Sequence, residues 1–331
     1  MLGEDSILEQ VRADGLLADG RPAVVLLSGG RDSTCLLDLA VRIAGAKAVS
    51  ALHVNYGLRD SADGDERHCA QLCERLGVAL EVRRPRRVGG SESGNLQAWA
   101  RDQRYGAAAG LASARSADVA AGHTLTDQVE TILYRLASSP SRRALLGMRA
   151  REGLLVRPLL GFTRVETASY CEQRGLAWRE DETNASAEFA RGRVRGGLVP
   201  ALEAIHPGAV QNVLALSELL RDEAAVLDAL VEEALAGRAQ IELERLRALP
   251  AALRRLVVQR LADGAIGGPA PGAARRAEDV AALCDHGTGA LDLPHGIRAT
   301  AQDGVLRFGR TPALSGAPVG KKQAGASPPL N

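Results

Sequence analysis

Several features that would mark a membrane-bound, secreted or metal-binding protein are missing from this chain of 331 residues. Its apolar runs fall far short of the ~20 residues that a membrane-spanning helix needs. The five cysteines are odd in number and form no Cys-x-x-Cys pair, and no signal peptide is recognisable. We therefore expect a reducing, cytoplasmic location. Cys69 and Cys73 lie one helical turn apart, but no further cysteine or histidine cluster completes a metal site, so we interpret both as buried small hydrophobic residues.

The sequence is also poor in net charge, aromatic side chains and lysine. The formal net charge is +1, so net charge does not indicate a nucleic-acid partner. Aromatic residues make up 3% of the chain, which argues against a sheet surface that stacks RNA bases. Lysine occurs only at Lys47, Lys321 and Lys322. Local arginine clusters are the candidates for phosphate binding, although a biased genomic base composition explains the arginine usage equally well.

The first 200 residues contain an alternation of strand-like and helix-like segments. The strand-like segments are residues 24–27, 49–54, 78–82 and 118–121. The helix-like segments are residues 34–44, 66–76, 95–114 and 127–136, with a further capping-box helix from Thr163 to about Arg174. This alternation predicts an α/β fold with βαβ units around a Rossmann-like parallel sheet. Ligands of such sheets bind beyond the carboxyl ends of the strands.

The pattern changes after His206-Pro207-Gly208. Residues 209–236 form a long amphipathic pattern without a strand signal, and further helices are predicted from Pro250 and near Ala273. Short strands separated by turns follow in residues 291–308. The predicted division is an α/β domain at residues 1–206, a smaller, mainly helical domain with a small β element at residues 207–310, and a disordered tail at residues 311–331.

The segment Ser-Gly-Gly-Arg-Asp-Ser at residues 28–33, here called the glycine loop, joins the first predicted strand to the helix after it. Its glycines let the backbone approach a ligand, and the helix N-terminus adds a positive dipole end. Ser28 and Ser33 can donate hydrogen bonds to phosphate. Asp32 would be repelled by phosphate unless a cation intervenes, and Mg²⁺ is the simplest choice. A structural turn is the alternative for a bare Ser-Gly-Gly, but the strand–loop–helix order favours nucleotide binding.

The glycine loop lacks the lysine of a P-loop NTPase and the spacing of a dinucleotide fingerprint. It resembles the PP-loop of the N-type ATP pyrophosphatases, which cleave ATP between the α and β phosphates. Further stretches resemble the tRNA(Ile)-lysidine synthases. These stretches are His-Val-Asn-Tyr-Gly-Leu-Arg at residues 53–59, an Ala-Arg-x-x-Arg-Tyr pattern within residues 95–105, and residues 122–136, 157–184 and 189–202.

This resemblance implies a fold of the adenine nucleotide alpha hydrolase type and a ligase that uses ATP and Mg²⁺. Such an enzyme adenylates carbon 2 of the wobble cytidine in a tRNA(Ile) with a CAU anticodon. The ε-amine of free L-lysine then displaces AMP. The implied partners are this tRNA and free lysine, and no membrane is involved. The C-terminal domain is expected to bind tRNA, and a homodimer is possible.

The resemblance also carries over site residues. The implied cofactor-binding residues are Ser28, Gly29, Gly30, Arg31, Asp32, Ser33 and His53, with Asp32 as the metal ligand. The implied catalytic residues are Asp32, Arg101, His123, Asp127 and Glu130, and the implied tRNA-binding residues are Arg104, Arg191, Arg193 and Arg195. Asp127 or Glu130 can bind a lysine ammonium or a metal, but a carboxylate is also common in a first helical turn. For Arg101 and Arg104 a solvated helix face is an equally good alternative. For Arg191, Arg193 and Arg195 it is a weaker alternative, because no acidic residue intervenes.

Two positions depart from the family pattern. Tyr56 stands where the family usually has histidine, and Thr126 stands where it usually has the first aspartate of a pair. We expect Thr126 to cap a helix that begins at Asp127. The structure would thereby be preserved, but one carboxylate of the site is lost.

Two other interpretations remain open from the sequence. The first is another PP-loop enzyme, such as a tRNA thiolase or an amide-forming synthetase. The Cys-x-x-Cys pairs of iron–sulfur thiolases are absent, and no glutaminase nucleophile is evident. The second is a noncatalytic tRNA- or nucleotide-binding protein, which the intact glycine loop and Glu130 weigh against.

Overall fold

The computed structural model describes residues 4–58, 61–86, 96–139, 142–179 and 190–312. The chain divides into two compact units, Met1–Leu220 and Arg221–Asn331. The division falls within a long helix, later along the chain than the domain boundary predicted after residue 206. Most of the predicted disordered tail, residues 313–331, lies outside the described residues.

The first unit contains a six-stranded sheet. Its strands are β1 (Ala23–Leu26), β2 (Val49–Val54), β3 (Ala79–Arg83), β4 (Asp118–Ala120), β5 (Arg151–Glu152) and β6 (Leu155–Val156). They are arranged in the order β3-β2-β1-β4-β6-β5, and all neighbours are parallel except the short β5–β6 pair. This confirms the predicted Rossmann-like parallel sheet.

Helices connect and cover these strands. Those of the first unit are α1 (Glu4–Ala13), α2 (Arg31–Ala44), α3 (Ala62–Leu76), α4 (Leu96–Arg115), α5 (Leu125–Ser138), α6 (Arg142–Leu145), α7 (Arg164–Gln173), α8 (Ala190–Arg193) and α9 (Val199–Ile205). A π-helical segment, Val194–Leu198, joins α8 to α9, and α10 (Ala209–Leu235) follows and crosses the division between the units. The predicted helices of this region are present with small shifts of their ends, whereas α1, α6 and the β5–β6 pair were not foreseen.

Both faces of the sheet are covered. Along β1, Ala23 and Val25 belong to the buried cluster formed with α1, α2, α3 and α7. Val24 and Leu26 point to the opposite face and join the cluster formed with α4. A strand buried on both faces reads as a continuous apolar run, which explains the sequence pattern of β1.

The carboxyl ends of the parallel strands lie at one edge of the sheet. The glycine loop follows β1, and the loop with Gly122 and His123 follows β4, the neighbour of β1 on one side. On the other side, β2 ends at Val54, next to Asn55. Strand order reverses at β1, and the crevice between the loops after β1 and β4 is the place where such sheets bind ligands.

The second unit combines helices with a four-stranded antiparallel sheet in the order β7-β10-β9-β8. Its further elements are β7 (Gln240–Glu242), α11 (Leu243–Ala248), α12 (Ala251–Ile266), α13 (Ala277–Ala281), β8 (Thr288–Leu293), β9 (Ile297–Gln302) and β10 (Val305–Arg310). The predicted turns at 294–296 and 303–304 connect the last three strands, whereas β7 was not foreseen.

Among the described residues, no helix is both long and apolar enough to cross a membrane.

Candidate functional site

The glycine loop is held in one conformation by its own hydrogen bonds. Ser33 Oγ donates to the Gly30 carbonyl at 2.9 Å and lies 3.0 Å from Ser28 Oγ, and the Gly30 amide donates to Ser28 Oγ at 3.3 Å. Gly29 has a φ of +83°, and a Cβ there would come within 3.2 Å of Cys69 Sγ. Glycine is therefore required at this position by backbone conformation and by space. The Arg179 amide donates to the Gly29 carbonyl at 3.0 Å and fixes the loop from outside.

Three carboxylates from two helices converge beside this loop. Asp32 comes from the first turn of α2, and Asp127 and Glu130 come from the start of α5. The Arg164 guanidinium lies between them, 3.6 Å from Asp32 Oδ2, 2.6 Å from Asp127 Oδ1 and 3.6 Å from Glu130 Oε1. The close approach of the two segments requires a small residue at Gly122, where a Cβ would lie 3.1 Å from the Asp32 backbone. The structure thus brings together three of the predicted catalytic residues.

The pKa values of the Asp32 and Asp127 carboxyl groups are shifted in opposite directions. Burial raises the pKa of Asp32, against the opposing effects of the Thr167 hydrogen bond and nearby arginines. Burial also opposes ionisation of Asp127, but the charge of Arg164 and hydrogen bonds from Thr124 lower its pKa overall. The carboxylate at the start of α5 is thereby stabilised in its charged form.

Glu130 is buried and paired with an arginine from the segment predicted to contact tRNA. Arg195 Nε donates to Glu130 Oε1 at 2.6 Å and Arg195 Nη2 to Glu130 Oε2 at 2.9 Å. The hydrogen bond to Glu130 raises the pKa of Arg195. Arg195 therefore belongs to the carboxylate cluster, whereas Arg191 and Arg193 are exposed on α8 and their tRNA contacts remain predictions.

His123 occupies a cationic environment at the end of β4. Burial, and then the charges of Arg157, Arg101 and Arg104, lower its pKa to about 4, although Asp127 opposes this. His123 Nδ1 is buried and finds no hydrogen-bond partner among the described residues. The guanidinium carbons of Arg101 and Arg104 lie 4.5 and 5.4 Å from the centre of the Tyr105 ring. At neutral pH, His123 is therefore an uncharged imidazole surrounded by arginines.

The residues at the end of β2 and just after it are occupied by contacts within the protein. His53 is buried, with Nδ1 2.9 Å from the Leu27 carbonyl and 3.4 Å from Cys69 Sγ. Tyr56, one of the two departures, donates to the Ala100 carbonyl at 2.7 Å and contacts Trp99 edge-on at 5.8 Å between ring centres. The tyrosine thus packs the end of β2 against α4, while the predicted adenosine contact of His53 remains a prediction.

The expected role of Thr126 was wrong. The helix begins at Leu125 rather than Asp127, and its cap is Thr124, whose Oγ1 accepts a hydrogen bond from the Asp127 amide at 3.4 Å. The Thr124 amide donates in turn to Asp127 Oδ2 at 2.9 Å, which completes a capping box. Two threonines precede Asp127, and only the one three residues before it has the spacing of that motif.

Arg164 and Thr167 belong to the site but were not among the residues predicted for it. The capping box of α7 was recognised and is confirmed, with Thr163 as cap and Glu166 as its partner. It predicted where the helix begins, but nothing in it indicated that Arg164 and Thr167 would reach Asp32, more than 130 positions away. Such a contact appears only once the helices are packed.

Cys69 and Cys73 agree with their interpretation as buried hydrophobic residues. Cys69 and Cys73 are buried, and burial raises the pKa of Cys69 to about 12 and that of Cys73 to about 11. Within the part of the chain that the structure describes, no group of three or more histidine, cysteine, aspartate or glutamate side chains is arranged to hold a metal ion.

Comparisons with known proteins agree with this geometry. The PP-loop domain family matches residues 5–202. The tRNA(Ile)-lysidine synthase of Symbiobacterium thermophilum is 35% identical over 335 aligned residues, which cover 93% of this chain and 69% of that protein. The enzyme of the same name from Nocardia farcinica is 41% identical over 249 residues, covering 73% of this chain and 76% of that protein. The solved U34-tRNA thiolase NcsA of Methanococcus maripaludis is 19% identical and superposes with a TM-score of 0.55. The match covers 66% of this chain and 80% of that chain. At this identity it supports the fold alone.

The parallel sheet and its glycine loop therefore define a PP-loop domain. At this identity and coverage, the chain belongs to the tRNA(Ile)-lysidine synthase family.

Proposed function

We propose that this protein is an ATP-dependent carbon–nitrogen ligase that joins free L-lysine to carbon 2 of the wobble cytidine in a tRNA(Ile) with a CAU anticodon. The observation that carries the proposal, beside family membership, is that the glycine loop and the carboxylates of α5 meet at one edge of the sheet. A nucleotide site and a site for a cationic substrate are therefore adjacent. We also expect a cytoplasmic location, and a homodimer remains a prediction.

The proposed reaction has two steps. The cytidine O2 attacks the α-phosphorus of ATP, and pyrophosphate leaves. The lysine ε-amine, with its proton removed, then attacks carbon 2, and AMP leaves with the oxygen. Because the activated cytidine carries a good leaving group, the protein mainly positions the reactants and stabilises charge.

The ATP phosphates fit the glycine loop. It precedes α2, whose first turn directs backbone N–H groups and a positive dipole end towards an anion. Gly29 keeps the loop free of a side chain at its tightest point. Arg31 belongs to the loop, and its Nε lies 3.6 Å from Asp32 Oδ1 without a hydrogen-bond partner among the described residues, so we expect this guanidinium to meet a phosphate oxygen.

Asp32 fits a Mg²⁺ ion that is shared with ATP. Magnesium in nucleotide sites is held by one or two carboxylates, with phosphate oxygens and waters as its other ligands. Asp32 supplies one such carboxylate within the glycine loop, in the first turn of α2. When bound, the ion would neutralise charge that develops on the phosphates.

Asp127 and Glu130 are the proposed binding groups for a lysine ammonium. Three carboxylates face the three guanidinium groups of Arg31, Arg164 and Arg195, so their formal charges balance. A lysine ammonium would therefore bind by sharing Asp127 and Glu130 with these arginines, since each carboxylate has two oxygen acceptors. Because Thr126 stands where the family usually has an aspartate, the negative charge of the proposed site comes from these three carboxylates.

The tRNA would approach through the arginines around His123 and on α8. Arg101 and Arg104 lie near the neutral imidazole, and Arg191 and Arg193 are exposed. Arginine contacts of this kind hold the RNA backbone without reading sequence. The second unit is the proposed additional tRNA-binding domain.

Purified protein tests the proposal in an assay for AMP and pyrophosphate release. Release is expected only when ATP, lysine and the CAU tRNA are all present, and it should fail with a tRNA whose wobble position is not cytidine. Turnover that does not depend on lysine would favour another PP-loop tRNA enzyme. Tight tRNA binding with no turnover would favour a noncatalytic protein.

A further inference from the structure

Helix α7 contributes two side chains to the carboxylate of the glycine loop. Thr167 is fully buried and donates a hydrogen bond to Asp32 Oδ1 at 2.5 Å. Arg164 Nε lies 3.6 Å from the other oxygen, Asp32 Oδ2. Both oxygens of Asp32 therefore face α7, so the direction of this carboxylate is set by α7 as well as by its own helix.

The same arginine reaches the two carboxylates of α5 with its other nitrogens. Arg164 Nη2 donates to Asp127 Oδ1 at 2.6 Å, and Nη1 lies 3.6 Å from Glu130 Oε1. A planar guanidinium can face three acceptors with three different nitrogens, whereas the compact ammonium of lysine cannot. Arg164 is 21% exposed, so its contacts are only partly screened by water.

The start of α7 is fixed to the start of α5. The Leu125 amide donates to the Phe162 carbonyl at 2.7 Å, just before the Thr163 cap. The Arg164 amide also lies 3.5 Å from Thr126 Oγ1. The backbone that carries Arg164 is thus attached to the helix whose carboxylates it contacts.

Like charges at this spacing repel each other unless a cation lies between them. We propose that Arg164 is a positioning residue that holds Asp32 of the ATP site and Asp127 and Glu130 of the lysine site at one fixed spacing. The assignment of these two ligands rests on the proposed function. In the proposed reaction, Arg164 itself touches neither the reacting phosphorus nor the cytidine. Removal of the Arg164 side chain should weaken the binding of both ligands, because this side chain links both sites.

Direct binding measurements separate this role from a loss of folding. Titration calorimetry would measure the Kd of L-lysine and of the magnesium complex of α,β-methylene ATP, for the wild type, Arg164→Ala and Arg164→Lys. Loss of the hydrogen bond to Asp127 and of the two ion pairs in Arg164→Ala should weaken the binding of both ligands by about tenfold or more. Added methylguanidinium should restore part of both affinities. Arg164→Lys keeps the charge but not the bridge, and should lie between the wild type and the alanine variant.

Arg174→Ala is the matched control. Arg174 follows the same helix and pairs with Asp38 of α2 at 3.2 Å, away from the carboxylate cluster. Its loss should lower the unfolding temperature and leave both affinities within about twofold. If Arg164→Ala does not fold, the lysine variant decides. Unchanged affinities, tighter lysine binding, or weakening of one ligand alone would overturn the positioning role. A wild type that does not bind lysine would instead contradict the proposed function.

Discussion

The low pKa of His123 allows a quantitative prediction for pH-dependent stability. Burial, Arg157, Arg101 and Arg104 lower the folded-state pKa to about 4, compared with about 6.5 for an ordinary histidine. The folded protein therefore resists protonation that the unfolded chain accepts. The resulting destabilisation of the fold is absent above about pH 6.5 and grows progressively as the pH falls towards 4. Between pH 7 and pH 5, the two pKa values give a loss of about 2 kcal/mol in the free energy of unfolding.

The assay compares the wild type with His123→Gln, which cannot be protonated there. Urea unfolding at pH 7 and pH 5 should show the additional loss in the wild type only, so the contribution of other groups cancels in the difference. NMR titration of the imidazole signals, assigned with the same variant, should place His123 well below the other histidines. An ordinary titration near pH 6.5, or equal losses in the two proteins, would refute the proposed arginine environment.

Three further substitutions have distinct expected outcomes. Asp32→Asn should reduce ATP-dependent AMP release by at least about a hundredfold with an unchanged circular dichroism spectrum, since it removes the only proposed protein ligand of Mg²⁺; retained activity would contradict that role. Gly29→Ala should weaken nucleotide binding and lower stability by about 1–3 kcal/mol, because its φ of +83° and the Cys69 contact disfavour a side chain; wild-type nucleotide affinity would argue against it. Tyr170→Phe should cost about 1–3 kcal/mol in urea unfolding, by removing the 2.6 Å bond to buried Asp38, with lysine-dependent turnover retained; an unchanged midpoint would contradict this.

The parts of the fold that local patterns encode could be predicted from the sequence. The apolar run of β1, the glycine loop and the Thr163–Glu166 capping box each lie within a short stretch, and the structure places them as expected. The shared sheet edge also followed, because the carboxyl ends of parallel strands lie together.

The remaining features depend on packing between distant segments. The contacts of Arg164 with Asp32, and of Arg195 with Glu130, join residues 132 and 65 positions apart, and no local pattern encodes which arginine meets which carboxylate. Arg195 was therefore grouped with the exposed arginines of its run. The start of α5 was misplaced for a local reason, since Thr124 and Thr126 are both plausible caps and only Thr124 has the spacing of a capping box.

The most direct test of the central claim is the mass of the wobble nucleoside. The CAU tRNA would be incubated with the protein, ATP and isotopically labelled L-lysine, then digested to nucleosides and analysed by mass spectrometry. If the protein is a lysidine-forming ligase, the wobble cytidine gains the mass of lysine less one water and carries the label. A wobble cytidine that stays unmodified, or gains a group without the label, would contradict it.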